Sequence, residues 1–288
     1  MIQTIVLGLV LGGVYALMAS GLTLLFGVMR IVNLAHGAFM IVAAYVAYFL
    51  FTAWGIDPFV SLVVTMPTMF LVGAAVYRFL FPRLEGSDRY SEMTVLLTFG
   101  LALVIEGLLG YFFTGIFRST TPSYATEAFV IGDVIVPRGQ LYGSLTSLVL
   151  ILMLWLFLSF TKMGYAIQAL TQNRTAAQIV GVNVRRVSTV SFGIGMALAG
   201  AAGSLLSYLF TFFPAQHWQW IALLLSLIVL GGLGSLAGAV VGSLLLAVLS
   251  ALVSSWFGAT WSPLTFYLAL FLILLVRPQG LFGTKEAV

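Results

Sequence analysis

The chain has 288 residues and a formal net charge of +4; 61% of its residues are hydrophobic and only 7% are charged. A soluble globular domain carries about 25% charged residues, so this composition excludes an ordinary water-soluble domain. The absence of cysteine excludes disulfides, thiolate catalysis and cysteine metal sites.

Apolar runs recur along the whole chain, and most are long enough to cross a hydrocarbon core of about 30 Å. They lack the alternation of polar and apolar residues that a membrane β-barrel requires. They predict an all-α polytopic membrane protein with about 8–10 transmembrane helices, some of them short or broken. The nine predicted segments span about 5–29, 36–54, 59–80, 93–114, 141–160, 189–213, 219–232, 238–257 and 263–276. The seventh is short enough to be a half-helix or a re-entrant helix.

Basic residues are distributed unequally between the two sides that nine crossings define. One side receives Arg30, Arg78, Arg83, Arg89, Lys162, Arg174, Arg185, Arg186, Arg277 and Lys285. The other side receives only Arg118 and Arg138. Because positive loops stay in the cytoplasm, this bias predicts an N-terminus outside and a C-terminus in the cytoplasm.

Polar residues interrupt the apolar pattern in "RIVNLAHGAFM", Arg30 to Met40. On one helix, Asn33 would lie near Arg30 and His36 near Asn33, and Gly37 would permit a bend or a close helix approach. A broken connection at membrane depth is tolerated only where protein or a water-filled path covers it, and transporters use such breaks to line a site. Asn33, His36 and Gly37 are therefore candidates for a translocation path. In the alternative, Asn33 and His36 only hydrogen-bond neighbouring helices and fix their packing, and the sequence favours neither.

Glu106, in "FGLALVIEGLLGYFF", is the most isolated acid in the sequence. A carboxylate at the centre of a membrane helix costs about 2.5–3.5 kcal/mol, so it faces the bundle or a pathway by default. We interpret Glu106 first as a buried structural acid, in which case Glu106→Gln would retain transport. A role in the translocation path is the alternative.

The predicted extracytoplasmic loop, about 115–140, contains "AFVIGDVIVPRG". Two β-branched runs flank Gly132 and Asp133, a pair suited to a tight hairpin turn. We expect a small hairpin that either contacts a partner or covers the helix ends.

The predicted cytoplasmic loop, about 161–188, reads "TKMGYAIQALTQNRTAAQIVGVNVRRVS". Thr175 and Gln178 have the spacing of a capping box, which predicts a short helix over Ala176 to Val180 that stops at Gly181. Arginines flank this helix on both sides. A solvated loop explains the arginines but not an ordered helix between them, whereas a docking surface for a cytoplasmic partner explains both.

Glycines are concentrated in "VLGGLGSLAGAVVGSLLL". Gly234, Gly238 and Gly242 have the four-residue spacing of a strip on which another helix packs closely. Gly231, Gly232 and Gly234 lie between the seventh and eighth segments. We interpret these three as a break in the translocation path that flexes during alternating access.

Four stretches together resemble the bacterial ABC-importer permeases for high-affinity import of branched-chain amino acids. They are "GLTLLFGVMRIVNLAHGAFM", "GYAIQALTQNRTAAQIVGVNV", "VLGGLGSLAGAVVGSLLL" and "RPQGLFG", and they extend from the first span to the last. The resemblance implies a single transmembrane permease domain over residues 1–288, in the bacterial inner membrane. It places an ATPase-coupling surface at Asn173, Arg174, Thr175, Ala176, Ala177, Gln178 and Gly181.

The same resemblance implies the partners. They are a second homologous permease, two cytoplasmic ATPase subunits and an extracytoplasmic solute-binding protein. ATP and Mg²⁺ would bind to the ATPases, with no cofactor in this chain, and the sequence contains no G-x-x-x-x-G-K-[ST] phosphate loop.

The predicted function is that of a permease subunit, not an enzyme, for branched-chain amino acids or related small amides or acids. The alternative is a stand-alone secondary carrier or channel. Ion-coupled carriers commonly hold several intramembrane charges, and this chain offers little besides Glu106. A metal enzyme is disfavoured because His36 and His217 are predicted on opposite sides of the membrane.

Overall fold

The computed structural model describes residues 1–84 and 87–283, and it is built almost entirely of helices, which confirms the predicted all-α polytopic class. The helices are α1 (Ile2–Met29), α2 (His36–Trp54), α3 (Pro58–Leu80), α4 (Tyr90–Phe113), α5 (Arg138–Phe160), α6 (Lys162–Gln172), α7 (Arg174–Ile179), α8 (Val184–Leu209), α9 (His217–Gly231), α10 (Leu236–Phe257) and α11 (Ser262–Val276). The strands are β1 (Ala128–Ile131) and β2 (Val134–Pro137).

Eight helices in the described part of the chain are long and apolar enough to cross a membrane. The seventh predicted segment, α9, is not among them. Its 15 residues give a length of about 22 Å, which is less than the hydrocarbon core of about 30 Å. The half-helix interpretation is therefore confirmed in length. Residues 210–216, which contain one 3₁₀ turn at Pro214–Gln216, precede α9 along the chain.

Both bounds of one predicted segment, 189–213, are wrong by more than a turn, and this helix ends at Leu209. Helix α8 begins at Val184 instead of near residue 189, because the Asn183 side chain accepts a hydrogen bond from the Arg186 N–H at 3.0 Å. The two arginines in the first turn of α8 had suggested a loop.

Helix α1 connects the two ends of the bundle. Near its start, the Gln3 side chain pairs with the backbone N–H and C=O of Ile135 in the β-hairpin, and this end is called the hairpin end. Near the other end of α1, Gly27 lies against Thr171 and Gly234, and this end is called the α7 end. Residues 281 and 282 bond to Leu230 and Gly231, so the last described segment also lies at the α7 end.

The cations separate between these two ends as the topology predicts. Arg118 and Arg138 lie at the hairpin end. At the α7 end, one pocket is lined by Arg78, Arg185 and Arg186. Lys285 lies outside the described residues. That the α7 end faces the cytoplasm stays a prediction.

Helix α8 forms the centre of the bundle and packs against α1, α2 and α3. Glycines permit this close packing, as is usual between membrane helices. Gly195 lies against the Gly21 carbonyl of α1, and Gly203 lies against the Met40 carbonyl of α2. A methyl group at either glycine would overlap those backbones.

The predicted hairpin is confirmed. Strands β1 and β2 are antiparallel and joined by the turn Gly132–Asp133, with Gly132 at a φ of +61° that favours glycine. The preceding loop covers the chain after α8, because Arg118 and Phe212 exchange backbone hydrogen bonds of 2.8 and 2.9 Å. The loop therefore covers helix ends, and contact with a partner stays a prediction.

We expect Gly203→Ala to lower the free energy of unfolding by about 1–3 kcal/mol, because the new methyl overpacks α8 against α2. The matched control is Gly100→Ala on α4, where nothing lies within 4 Å of the added methyl. Thermal unfolding of the purified protein in detergent measures both variants. A Gly203→Ala protein as stable as the wild type would contradict this packing.

Candidate functional site

The connection between α1 and α2 is not helical. Helix α1 ends at Met29, and Arg30 adopts a left-handed conformation with φ +53°. The expectation that Asn33 and His36 share a helix with Arg30 is therefore wrong. Residues 30–35 form a break that turns the chain back into the bundle, because His36 then contacts Gly21 in the interior of α1.

Three backbone donors at the end of this break have protein acceptors. The Leu34 N–H donates to Thr98 Oγ1 of α4 at 3.3 Å, and the Ala35 N–H donates to Asn33 Oδ1 at 3.1 Å. The His36 N–H donates to the Asn33 carbonyl at 3.2 Å. No water is available at membrane depth to replace these partners. Asn33, which is 1% exposed, therefore stabilises the break, and its place in a translocation path stays a prediction.

Helices α2 and α9 begin side by side. A Cβ at Gly37 would lie 2.7 Å from the His217 carbonyl oxygen, so the first turns of the two helices are in direct contact. The prediction that His36 and His217 lie on opposite sides of the membrane is wrong, because the chain returns into the bundle after α8. Both histidines are fully buried. Among the described residues, no group of three or more His, Cys, Asp or Glu is arranged to hold a metal ion.

Glu106 is neither isolated nor fully buried. Its Oε2 accepts a hydrogen bond from Trp218 Nε1 at 2.9 Å and lies 3.0 Å from His217 Nε2. With Oε2 as the acceptor, the hydrogen bond to His217 requires the proton on Nε2. The Glu106 side chain is 27% exposed. The expectation that this acid is fully buried is therefore wrong. Its structural role stays a prediction, and its contacts join α4 to the start of α9.

A groove of about 540 Å³ runs along α4 from this cluster toward the hairpin end. One wall is a single face of α4, formed by Leu103, Glu106, Gly107 and Gly110. The opposite wall is the turn 213–215, which leads into α9. Among the described residues that line the groove, Glu106 is the only one with an ionisable side chain.

The predicted short helix before α8 exists as α7, but its cap is different. The Asn173 side chain accepts a hydrogen bond from the Ala176 N–H at 2.9 Å, so the helix begins at Arg174 and the predicted capping box of Thr175 and Gln178 is wrong. Asparagine and threonine are both good N-caps, and the end of α6 at Gln172 gives Asn173 the extended conformation that a cap requires. The stop at Gly181, with φ +87°, is confirmed.

Two features of this loop were missed in the sequence. Helix α6 is an additional amphipathic helix, and Gln168 anchors it to the end of α5 by donating to the Leu158 carbonyl at 2.6 Å. Ile179 and Val180 at the tip of α7 are 82% and 77% exposed, whereas Ala177 is 3% exposed. The sequence shows that an apolar pair lies between arginines, which is a signal for docking. It does not show that this pair lies on the exposed side of the helix.

The predicted glycine break between α9 and α10 is confirmed as a structural break. Helix α9 ends at Gly231, and Gly232 and Gly234 have φ values of +104° and +83°. Gly231 also lies directly against the Gly238 backbone. Movement of this break during transport stays a prediction.

Together these features define a polytopic α-helical membrane protein with interrupted helices and a short helix, α7, whose apolar tip is exposed. The model of the family "Branched-chain amino acid transport system / permease component" matches residues 4–276. The chain belongs to this family.

Individual relatives agree with this assignment. The high-affinity branched-chain amino acid transport system permease protein LivH of Escherichia coli is 28% identical over 97% of this chain and 94% of its own length. BraD of Pseudomonas aeruginosa, a permease protein with the same description, is 27% identical over 99% of this chain and 96% of its own length. LivM of Escherichia coli, also a permease protein, is 31% identical over 41% of this chain and 28% of its own length.

We expect Thr98→Val to lower the free energy of unfolding by about 1–3 kcal/mol, because the buried Leu34 N–H loses its acceptor. Thr94→Val is the control, since the Thr94 hydroxyl donates only to carbonyls of its own helix, at Tyr90 and Ser91. Thermal unfolding in detergent measures the two variants in parallel. Equal stability of the two variants would show that Thr98 does not support the break.

Proposed function

We propose that this chain is the membrane-spanning permease of an ATP-driven ABC importer for branched-chain amino acids. The observation that carries the proposal is the α7 surface, in which an exposed apolar tip lies between Arg174 and Arg185. In water such a tip is unfavourable unless a partner covers it. The family of the chain supports a partner that drives transport.

The proposed assembly contains four kinds of subunit. A second homologous permease pairs with this chain, and the resemblance to both LivH and LivM supports a pair of related permeases. Two ATPases bind ATP and Mg²⁺ at the α7 end, and a solute-binding protein delivers the solute at the hairpin end. The assembly lies in the inner membrane of a bacterium, and this chain performs no covalent chemistry.

Coupling begins with movement of α7 when the ATPases bind ATP. Helix α7 packs against α6 and α8, and α6 is fixed to α5 through Gln168 and the Thr161 cap. Arg30 lines one pocket together with Asn173, Arg174 and Thr175. A displacement of α7 therefore reaches α8, α5 and the break after α1 together.

A substitution at Ile179 tests docking, whereas a substitution at Ala177 does not. Ala177 lies on the buried face of α7. An acid at that position would bury a charge and destabilise the helix itself. Ile179 projects away from the bundle, so a substitution there changes the docking surface without changing the core.

We expect Ile179→Asp to reduce ATP-driven uptake and recovery of the ATPase with the permease by about tenfold or more, since loss of a docked anchor costs about 2 kcal/mol or more. Ile135→Asp is the matched control for ATPase recovery alone, because Ile135 is also exposed (52%) but lies in the hairpin at the opposite end. Affinity purification in mild detergent, followed by quantification of the ATPase, measures both. Unchanged recovery with Ile179→Asp would exclude α7 as the docking helix.

Affinity purification of the wild-type chain from its native membrane, with mass spectrometry, tests the assembly as a whole. We expect an ATPase and a second permease in stoichiometric amounts, and uptake of leucine, isoleucine or valine that depends on ATP. A solitary chain that transports without ATP would support the stand-alone carrier instead.

A further inference from the structure

We propose that Glu106 binds the protonated amino group of the transported solute, at the inner end of the groove between α4 and the turn 213–215. The inference rests on the proposed function and deepens it, because it assigns the step of solute recognition within the membrane to one side chain. It also restricts the solute to amines, which excludes urea, simple amides and simple carboxylic acids.

The hydrogen bonds of Glu106 leave one oxygen available. The hydrogen bonds from Trp218 and His217 both end on Oε2 of the carboxylate. Oε1 has no donor among the described residues, although a carboxylate oxygen accepts readily and strongly from a cation. The side chain is 27% exposed and lines the groove, so a solute in the groove reaches it.

The composition of the groove matches a solute with one cationic group and an apolar remainder. Apart from Glu106, the lining consists of Leu103, Phe213, Pro214, Ala215 and three glycines. An ammonium group beside Glu106 offsets part of the cost of a carboxylate at membrane depth. The apolar walls then accept an aliphatic side chain but offer no second ionic partner.

Two glycines keep this groove open. A Cβ at Gly107 or Gly110 would meet nothing within 4 Å, whereas Gly12 of α1 and Gly203 of α8 lie directly against other helices. Packing within the chain therefore explains Gly12 and Gly203 but not Gly107 and Gly110. The space that these two leave in front of α4 lies beside Glu106 and has the size of a small solute.

The alternative is that Glu106 serves only to anchor the start of α9 to α4. Glu106→Gln separates the two roles, because an amide oxygen still accepts from Trp218 and His217 while the charge is lost. The solute-binding role predicts loss of transport with an intact fold, whereas the anchoring role predicts no loss.

The test measures uptake of radiolabelled leucine, isoleucine and valine by the complete transporter reconstituted in liposomes with its binding protein and internal ATP. We expect Glu106→Gln to reduce uptake by about tenfold or more, the range for loss of a hydrogen bond to a charged group. Subunit stoichiometry and melting temperature in detergent stay at the wild-type values. Glu92→Gln, which makes the same substitution at an exposed carboxylate in the first turn of α4, away from the groove, serves as the control and retains uptake.

A second pair of variants tests the groove independently. Gly107→Leu fills it and is expected to reduce uptake, whereas Gly100→Leu adds the same side chain to α4 outside the groove and retains uptake.

Three results would overturn the inference. They are normal uptake by Glu106→Gln or Gly107→Leu, loss of subunits from the Glu106→Gln complex, and wild-type transport of a solute that has no amino group. Transport of a solute without an amino group would overturn this inference but not the proposed ATP-driven import. Uptake by the wild-type transporter without ATP would overturn the proposed function itself.

Discussion

Unpaired backbone groups are not tolerated in the hydrocarbon region of a membrane. Two of the interruptions in this bundle, at residues 30–35 and at residues 210–216, depend on how that requirement is met. At the first break, Thr98 and Asn33 supply the acceptors that water would supply elsewhere. Near the second break, the loop after α4 pairs with the returning chain through Arg118 and Phe212. In both places the hydrogen-bond partner comes from α4 or from the loop that follows it. These hydrogen bonds therefore help to hold α4 in position.

This arrangement also explains how His217 meets Glu106 close to the start of α2. Because α2 and α9 both begin inside the bundle, their first turns meet at Gly37 and His217. Glu106 then bonds to the start of α9 from the neighbouring α4. Helix starts carry unsatisfied N–H groups and a partial positive charge, so a carboxylate beside them is electrostatically favourable. A half-length helix thus creates a polar site that a continuous span would not.

Much of the fold could be predicted from the sequence, because apolar runs and turn residues are local signals. The spans, the Gly132–Asp133 hairpin, the short length of α9 and the break at Gly232 all followed from such signals. The depth of His217 did not, because it depends on how residues 210–216 fold back and on contacts with α2 and α4. The cap at Asn173 was missed because α6, which ends just before it, was interpreted as loop. The orientation of Ala177 and Ile179 on α7 similarly requires knowledge of what lies beneath the helix.

The contact between the end of the chain and the α9–α10 break has a consequence for biogenesis. Leu281 and Phe282 donate backbone hydrogen bonds of 2.8 and 3.0 Å to the carbonyls of Leu230 and Gly231. The two donor residues are synthesised after all eleven described α-helices, since α11 ends at Val276. The carbonyls at the end of α9 therefore gain these partners only after α10 and α11 have been inserted. During synthesis, the two carbonyls at the α7 end of α9 therefore stay without these donors until residues 281 and 282 have left the ribosome.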